Sequence, residues 1–216
     1  MQNYQNFDAD WLLIANGEPL SYQKLQDLSA NKKIMVLDGA YEHAKQAGLK
    51  IDVLLGDFDS INPEHLIQAR ENLNHLVIDA PDQNKTDLEK GLEYINTQKP
   101  KSIVIAAGAG RRLQHTIYNL RVLKKYHDKN RPMSLLTESE LINFYENINI
   151  KISGKIGQSI GILGFPYAWI STSGLKYEVK NYALDFDQSS SVLNELAQEE
   201  AEILIKGEAL IILENP

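Results

Sequence analysis

Up to about Pro132, short apolar runs rich in β-branched residues alternate with segments of helical character, which is the rhythm of a parallel sheet covered by helices. The runs predict strands over Trp11–Ala15, Ile34–Leu37, Val53–Leu55, His75–Ile78, Ser102–Ala106 and Met133–Leu136. Each is short and mostly apolar, as a strand buried on both faces should be. The helices between them have readable ends: Ser21 before Tyr22, Asn62 before Pro63, Thr86 with Glu89 as a capping box, and Gly48 closing the segment from Tyr41. After about Glu138 the pattern changes to INIKIS, SIGILGF, AWISTS, LKYEVK, AEILIKG and ALIIL, separated by Gly, Ser and Asn turns with little helical period. The expected architecture is therefore an α/β domain with a parallel sheet of about six strands over residues 1–138, followed by a smaller antiparallel β unit over 139–216.

A chain of 216 residues with 43% hydrophobic content can build such a core unaided. A formal charge of −7 argues against nucleic-acid binding, which relies on clustered Lys and Arg. An anionic substrate would need local compensation, most simply a divalent cation. Without cysteine, any metal must sit on oxygen or histidine, and the composition fits a reducing cytoplasm. No apolar run approaches the roughly 18 residues of a membrane span, and the start MQNYQNFDADW is too polar and acidic for a signal peptide. The expectation is a cytoplasmic protein without a membrane or nucleic-acid partner.

The most informative segment is Val53-Leu54-Leu55-Gly56-Asp57-Phe58-Asp59-Ser60, where a buried strand runs into two carboxylates. In open α/β sheets, ligands bind beyond the carboxyl ends of the strands. If the backbone stays extended, Asp57 and Asp59 point one way while Phe58 turns to the core. Two neighbouring carboxylates repel each other, and a bound Mg²⁺ relieves that repulsion by taking oxygen ligands. In an isolated pair of this kind, one Asp more often simply caps the turn before Pro63. The arrangement recurs, however: Asp38-Gly39 follows the strand ending at Leu37, and Asp79, Asp82, Thr86 and Asp87 follow the strand ending at Ile78. Asp87 alone reads as a partner of its helix dipole. Together these residues put acidic groups at three successive strand ends.

A further strand end carries Gly108-Ala109-Gly110-Arg111-Arg112-Leu113-Gln114-His115-Thr116. Small residues there free backbone N–H groups for phosphate, and Arg offers a forked, permanently charged donor. The run matches neither the Walker nor the dinucleotide fingerprint. Arg111 and Arg112 read equally as solvated charge at a helix start. His115 and Asn119 share a helix face, which leaves His115 either a core histidine bonded to Asn119 or a site residue.

In order along the chain, LLIANGEPL, LDGAYEHAKQAGLKIDVLLGDFDSI, DQNKTDLEKGLEYI, AGAGRRLQHTIYNL, and GLKYEV with SSSVLNEL resemble the thiamine pyrophosphokinase family. GDFDSI followed by DQxxTD is the specific part. The resemblance implies an α/β catalytic domain, a C-terminal β-sandwich that binds thiamine, and a homodimer whose thiamine pockets lie between one subunit's catalytic domain and the partner's sandwich. Carried over by position, Asp57, Asp59 and Asp87 hold Mg²⁺ against the ATP phosphates, with Asp38 where thiamine and metal meet. Gln83, Thr86 and Arg112 contact the nucleotide, and Gln114, His115 and Asn194 fall among the remaining nucleotide or thiamine contacts. The implied reaction is attack of the thiamine hydroxyl on the β-phosphorus of ATP, giving thiamine diphosphate and AMP.

Three positions depart from the family pattern. Where members read GGRxDH, this chain has Arg111 in place of a glycine and Gln114 in place of the acidic residue, and glutamine carries no charge and cannot be a base. Leu193 stands where a serine usually precedes Asn194. Trp169 or Tyr177 could stack on the thiazolium, or be core aromatics of the β unit. The departures leave open a pyrophosphokinase for another alcohol and a non-catalytic nucleotide or thiamine binder.

Overall fold

The computed structural model describes residues 9–59, 61–71, 76–82, 84–187 and 191–214. It divides the chain into two compact units, Asp8–Glu138 and Ser139–Pro216.

The first unit runs β1 (Trp11–Ile14), α1 (Tyr22–Ser29), β2 (Lys33–Leu37), a 3₁₀ turn (Asp38–Ala40), α2 (Tyr41–Gln46), β3 (Val53–Gly56), α3 (Pro63–Glu71), β4 (Leu76–Asp79), α4 (Asp87–Thr97), β5 (Ile103–Ala106), α5 (Leu113–Lys125) and β6 (Met133–Leu136). The expected strands are all present, each within a residue or two of its predicted span; His75, where the fourth was expected to begin, lies outside the described residues. They form a parallel sheet in the order β6-β5-β1-β2-β3-β4. From β1 the chain moves outward through β2, β3 and β4, then returns to β5 on the other side of β1. That reversal creates a crevice at the carboxyl ends of β1 and β5, where such sheets bind ligands.

β1, β3 and β5 are buried along their whole length, which is why their sequences are continuously apolar. β4 differs from the expectation of burial on both faces: it is the edge strand, and Leu76 is left 47% exposed. Among the helix starts, Asn62 Oδ1 accepts the Glu64 N–H at 2.9 Å, and Thr86 Oγ1 accepts the Glu89 N–H at 3.4 Å. Ser21 occupies the cap position of α1 without a side-chain cap bond; its own N–H donates instead to Glu138 Oε2 at 2.9 Å.

The second unit contains β7 (Glu140–Ser153), β8 (Ser159–Ser173), β9 (Tyr182–Asp185), β10 (Ser191–Glu195) and β11 (Glu200–Glu214). All pair antiparallel, in the order β10-β8-β11-β7, with β9 on β8. SIGILGF and AWISTS join into the single strand β8, and AEILIKG and ALIIL into β11, whose ladders shift register around Gly207. Ile203 and Ile205 before that shift pack in the same core as Ile211 and Leu213 after it, so one long bent sheet encloses its own core. LKYEVK forms no strand. Leu175 makes an isolated bridge to Leu196, and the Thr172 N–H reaches the Val179 carbonyl at 2.8 Å.

Candidate active site

A cavity of about 640 Å³ opens over the carboxyl ends of the first unit's strands. Asp38, Asp57, Thr86, Asp87, Arg112 and His115 line it, together with Asn16, Lys85, Lys90, Arg111, Tyr118 and Asn119.

Its acidic side is built by the ends of β2 and β3. Asp38, Asp57 and Asp59 each offer an oxygen, and these oxygens lie within 4.8 Å of one another. The grouping does not come from an extended backbone. Phe58 takes a left-handed φ of +63°, a conformation that bulky residues adopt only where the surroundings demand it. The Phe58 N–H donates to Asp38 Oδ2 at 3.1 Å, and the Phe58 ring is buried. Asp38 is itself only 7% exposed. Its approach requires Gly56, because a Cβ there would meet the Asp38 Cβ at 2.5 Å. Burial first, then the charge of Asp87, and less so those of Asp57 and Asp59, push the Asp38 carboxyl up to about 6 despite an opposing pull from the Gly39 N–H.

This donor set fits a hard divalent cation: three closely spaced carboxylates, whose repulsion a bound Mg²⁺ would cancel. Asp38 belongs to it by position as much as Asp57 and Asp59 do. Asp87 faces the same cavity from the first turn of α4, where its Oδ1 accepts from Lys90 Nζ at 2.9 Å. The other acids noted after Ile78 are occupied elsewhere. Asp79 accepts from Arg70 at 2.6 Å, and Asp82 accepts from the backbone and side chain of Asn84 at 2.9 and 2.8 Å.

Basic side chains line the same cavity. Lys90, 11% exposed at its side chain, also donates to the Ala80 carbonyl at 2.6 Å, and Lys85 pairs with Glu93 at 2.7 Å. Arg111 and Arg112 come from the loop between β5 and α5. His115 is exposed toward the cavity and is no core residue; Asn119 donates to the Gly108 carbonyl at 2.7 Å. Glu89, next to Lys90 on α4, is buried at 1% exposure and accepts from Lys125 Nζ at 2.6 Å and from the Tyr118 hydroxyl. Burial raises the Glu89 carboxyl, but these hydrogen bonds outweigh it and hold the group below the ordinary range.

Three expected contacts fall outside this arrangement. Gln83 lies outside the described residues. Gln114 is exposed on α5 and does not line the cavity. Asn194 lies in the β unit, 3% exposed, where its amide accepts the Tyr177 N–H at 3.1 Å and donates to the Tyr177 carbonyl at 2.9 Å. Trp169 and Tyr177 are 39% and 60% exposed, so neither is a core aromatic. Asn16, Lys85, Lys90 and Tyr118 were not singled out from sequence. For Lys90 the available signal was its place one helical turn after Asp87.

Residues 25–135 match the family model for the thiamin pyrophosphokinase catalytic domain, and residues 146–211 match the model for the thiamin pyrophosphokinase vitamin B1 binding domain. The chain is 27% identical to thiamin pyrophosphokinase 1 of Caenorhabditis elegans, over 94% of this chain and 86% of the relative. It is 33% identical to thiamine pyrophosphokinase 1 of Arabidopsis thaliana, over 69% of this chain and 60% of that longer relative. Among solved structures, thiamine pyrophosphokinase of Bacillus subtilis superposes with a TM-score of 0.84 at 20% identity, covering 95% of this chain and 98% of the other. The yeast enzyme superposes with a TM-score of 0.82 at 16% identity, covering 97% and 87%. These structural likenesses establish the fold, and the sequence matches over both units establish that the chain belongs to the thiamin pyrophosphokinase family.

Proposed function

We propose that this protein transfers the pyrophosphoryl group of ATP to the hydroxyl of thiamine, in keeping with its family. The observation that carries the reading is the grouping of Asp38, Asp57 and Asp59 within 4.8 Å at a cavity that Arg112 and Lys90 also line. Asp57, Asp59 and Asp87, with Asp38 beside them, would hold Mg²⁺, which when bound neutralises polyphosphate charge. Arg112 donates to the phosphate oxygens, and Thr86 stands at the start of α4, where free backbone N–H groups favour an anion. The substrate hydroxyl attacks the β-phosphorus, the bond from that phosphorus to the bridging oxygen breaks, and AMP leaves with the electron pair. A cavity carboxylate takes up the hydroxyl proton as the new P–O bond forms.

The match of the β unit to the vitamin B1 binding model supports thiamine recognition there. A homodimer is part of the proposal, supported by the large apolar side chains that β8 to β10 leave exposed, among them Trp169, Tyr182 and Leu193. The cytoplasm is the compartment we propose, supported by the cysteine-free sequence. Among the described residues no helix is long and apolar enough to cross a membrane.

The test is incubation of purified protein with thiamine and Mg·ATP. Thiamine diphosphate and AMP in equal amounts are expected. Formation of ADP, or no product, overturns the reading; AMP release only with a different alcohol would reassign the acceptor.

A further inference from the structure

We propose that Arg111, clasped by Asn16, is a phosphate-binding residue that sets the affinity of this site for the nucleotide polyphosphate; the proposal deepens the function just given and rests on it for the identity of the nucleotide.

Two independent features single this residue out. Arg111 holds a left-handed φ of +47°, which a residue with a Cβ adopts only when something secures it. Its side chain supplies the securing contact, with Nη1 donating to Asn16 Oδ1 at 2.5 Å across 95 positions of sequence. Asn16 follows β1 and Arg111 follows β5, so the bond spans the crevice where the chain reverses direction across the sheet. Both residues line the cavity.

Asn16 also packs closely against Gly39, at the end of β2. A Cβ on Gly39 would lie 1.9 Å from Asn16 Nδ2, and Gly39 follows directly on the buried Asp38. Asn16 thus occupies the space between the carboxylates at the ends of β2 and β3 and the guanidinium at the end of β5. A polyphosphate lying across the strand ends meets the carboxylate-held cation on one side and Arg111 on the other. The guanidinium carries more donors than its one bond to Asn16 uses, in a planar fork suited to two phosphate oxygens. Pre-aligning that fork before the ligand arrives reduces the side-chain freedom lost on binding.

Calorimetric titration of Mg·ATP without thiamine, alongside thermal unfolding, tests the assignment. Arg111→Gly relieves the left-handed backbone, so folding should be unharmed or improved, while the Kd for Mg·ATP should rise about tenfold. Arg111→Lys should fall between the two, because it keeps the charge and loses the fork. Asn16→Ala should weaken binding in the wild-type background and add little to Arg111→Gly. In turnover, the KM for ATP should rise and that for thiamine should stay within about twofold. A Kd for Arg111→Gly within about twofold of wild type overturns the proposal, whether or not the melting temperature falls, since Arg111 would then be only a strut for Asn16. Wild-type protein that binds Mg·ATP but makes no AMP with thiamine would sink the assigned reaction and leave Arg111 to be judged on binding. Failure of the wild type to bind Mg·ATP overturns both.

Discussion

The Asp38 carboxylate accepts the backbone N–H of Phe58 at 3.1 Å, so the acid at the end of β2 sets the shape of the loop at the end of β3. One side chain thereby joins the cation-binding group and turns the loop so that Asp57 and Asp59 meet it. The arrangement concentrates negative charge around a buried carboxyl, a cost the fold carries for the sake of binding.

That cost should appear in the pH dependence of stability. The folded-state value of Asp38, about 6, lies above the ordinary 3.8, so folding favours its protonated form. Its contribution is complete below 3.8 and is lost as the pH rises through about 6. In metal-free protein, Asp38→Asn should raise stability at pH 8 by up to about 3 kcal/mol and by almost nothing at pH 4. Denaturant unfolding with chelator at both pH values measures the difference. Equal stability of the two proteins at pH 8 would mean that the carboxyl is not destabilised by its setting.

Asp57→Asn and Asp59→Asn each remove charge from an exposed loop and leave the core untouched. Activity should fall by at least about a hundredfold, or roughly 2.7 kcal/mol of transition-state stabilisation, with unfolding midpoints unchanged or slightly raised. Steady-state AMP formation across a magnesium titration reads this out. Wild-type rates in either variant would place the reaction elsewhere.

Gly56→Ala inserts a methyl group 2.5 Å from the Cβ and 2.8 Å from the carboxyl carbon of the buried Asp38 side chain. We expect a loss of about 1–3 kcal/mol from overpacking, together with a fall in kcat as Asp38 is displaced. Chemical denaturation and kinetics on the same preparation give both numbers.

Glu89 ties α4 to α5 through Lys125 and the cavity residue Tyr118. Its depressed folded-state value means that it stabilises the protein above the ordinary 4.5 and loses that effect as the pH falls through the lowered value. Glu89→Gln should therefore cost about 1–3 kcal/mol at pH 7, with the gap to wild type narrowing in acid. Tyr118→Phe should cost less, since Lys125 still satisfies the carboxylate. Urea titrations from pH 3 to pH 7 follow both variants, and a gap that does not vary with pH would disprove the ionic role of Glu89.

Local pattern was enough to place the strands of the first unit, most plainly β1, β3 and β5, where burial on both faces leaves a continuous apolar run that requires no knowledge of neighbours. It also placed the Thr86 cap and the acids beyond β2, β3 and β4. It did not show which acids would meet. Asp79 and Asp82 carry the same chemistry as Asp38, but they found Arg70 and Asn84, whereas Asp38 was enclosed by packing against Gly56 and Phe58. Nor could any window of sequence reveal Arg111 reaching Asn16, or two runs on either side of Gly207 forming the single strand β11. Periodicity records what each residue needs from its immediate environment. Which partner supplies that need depends on strand order and chain reversal, and these are settled only when segments distant in sequence pair and bury one another.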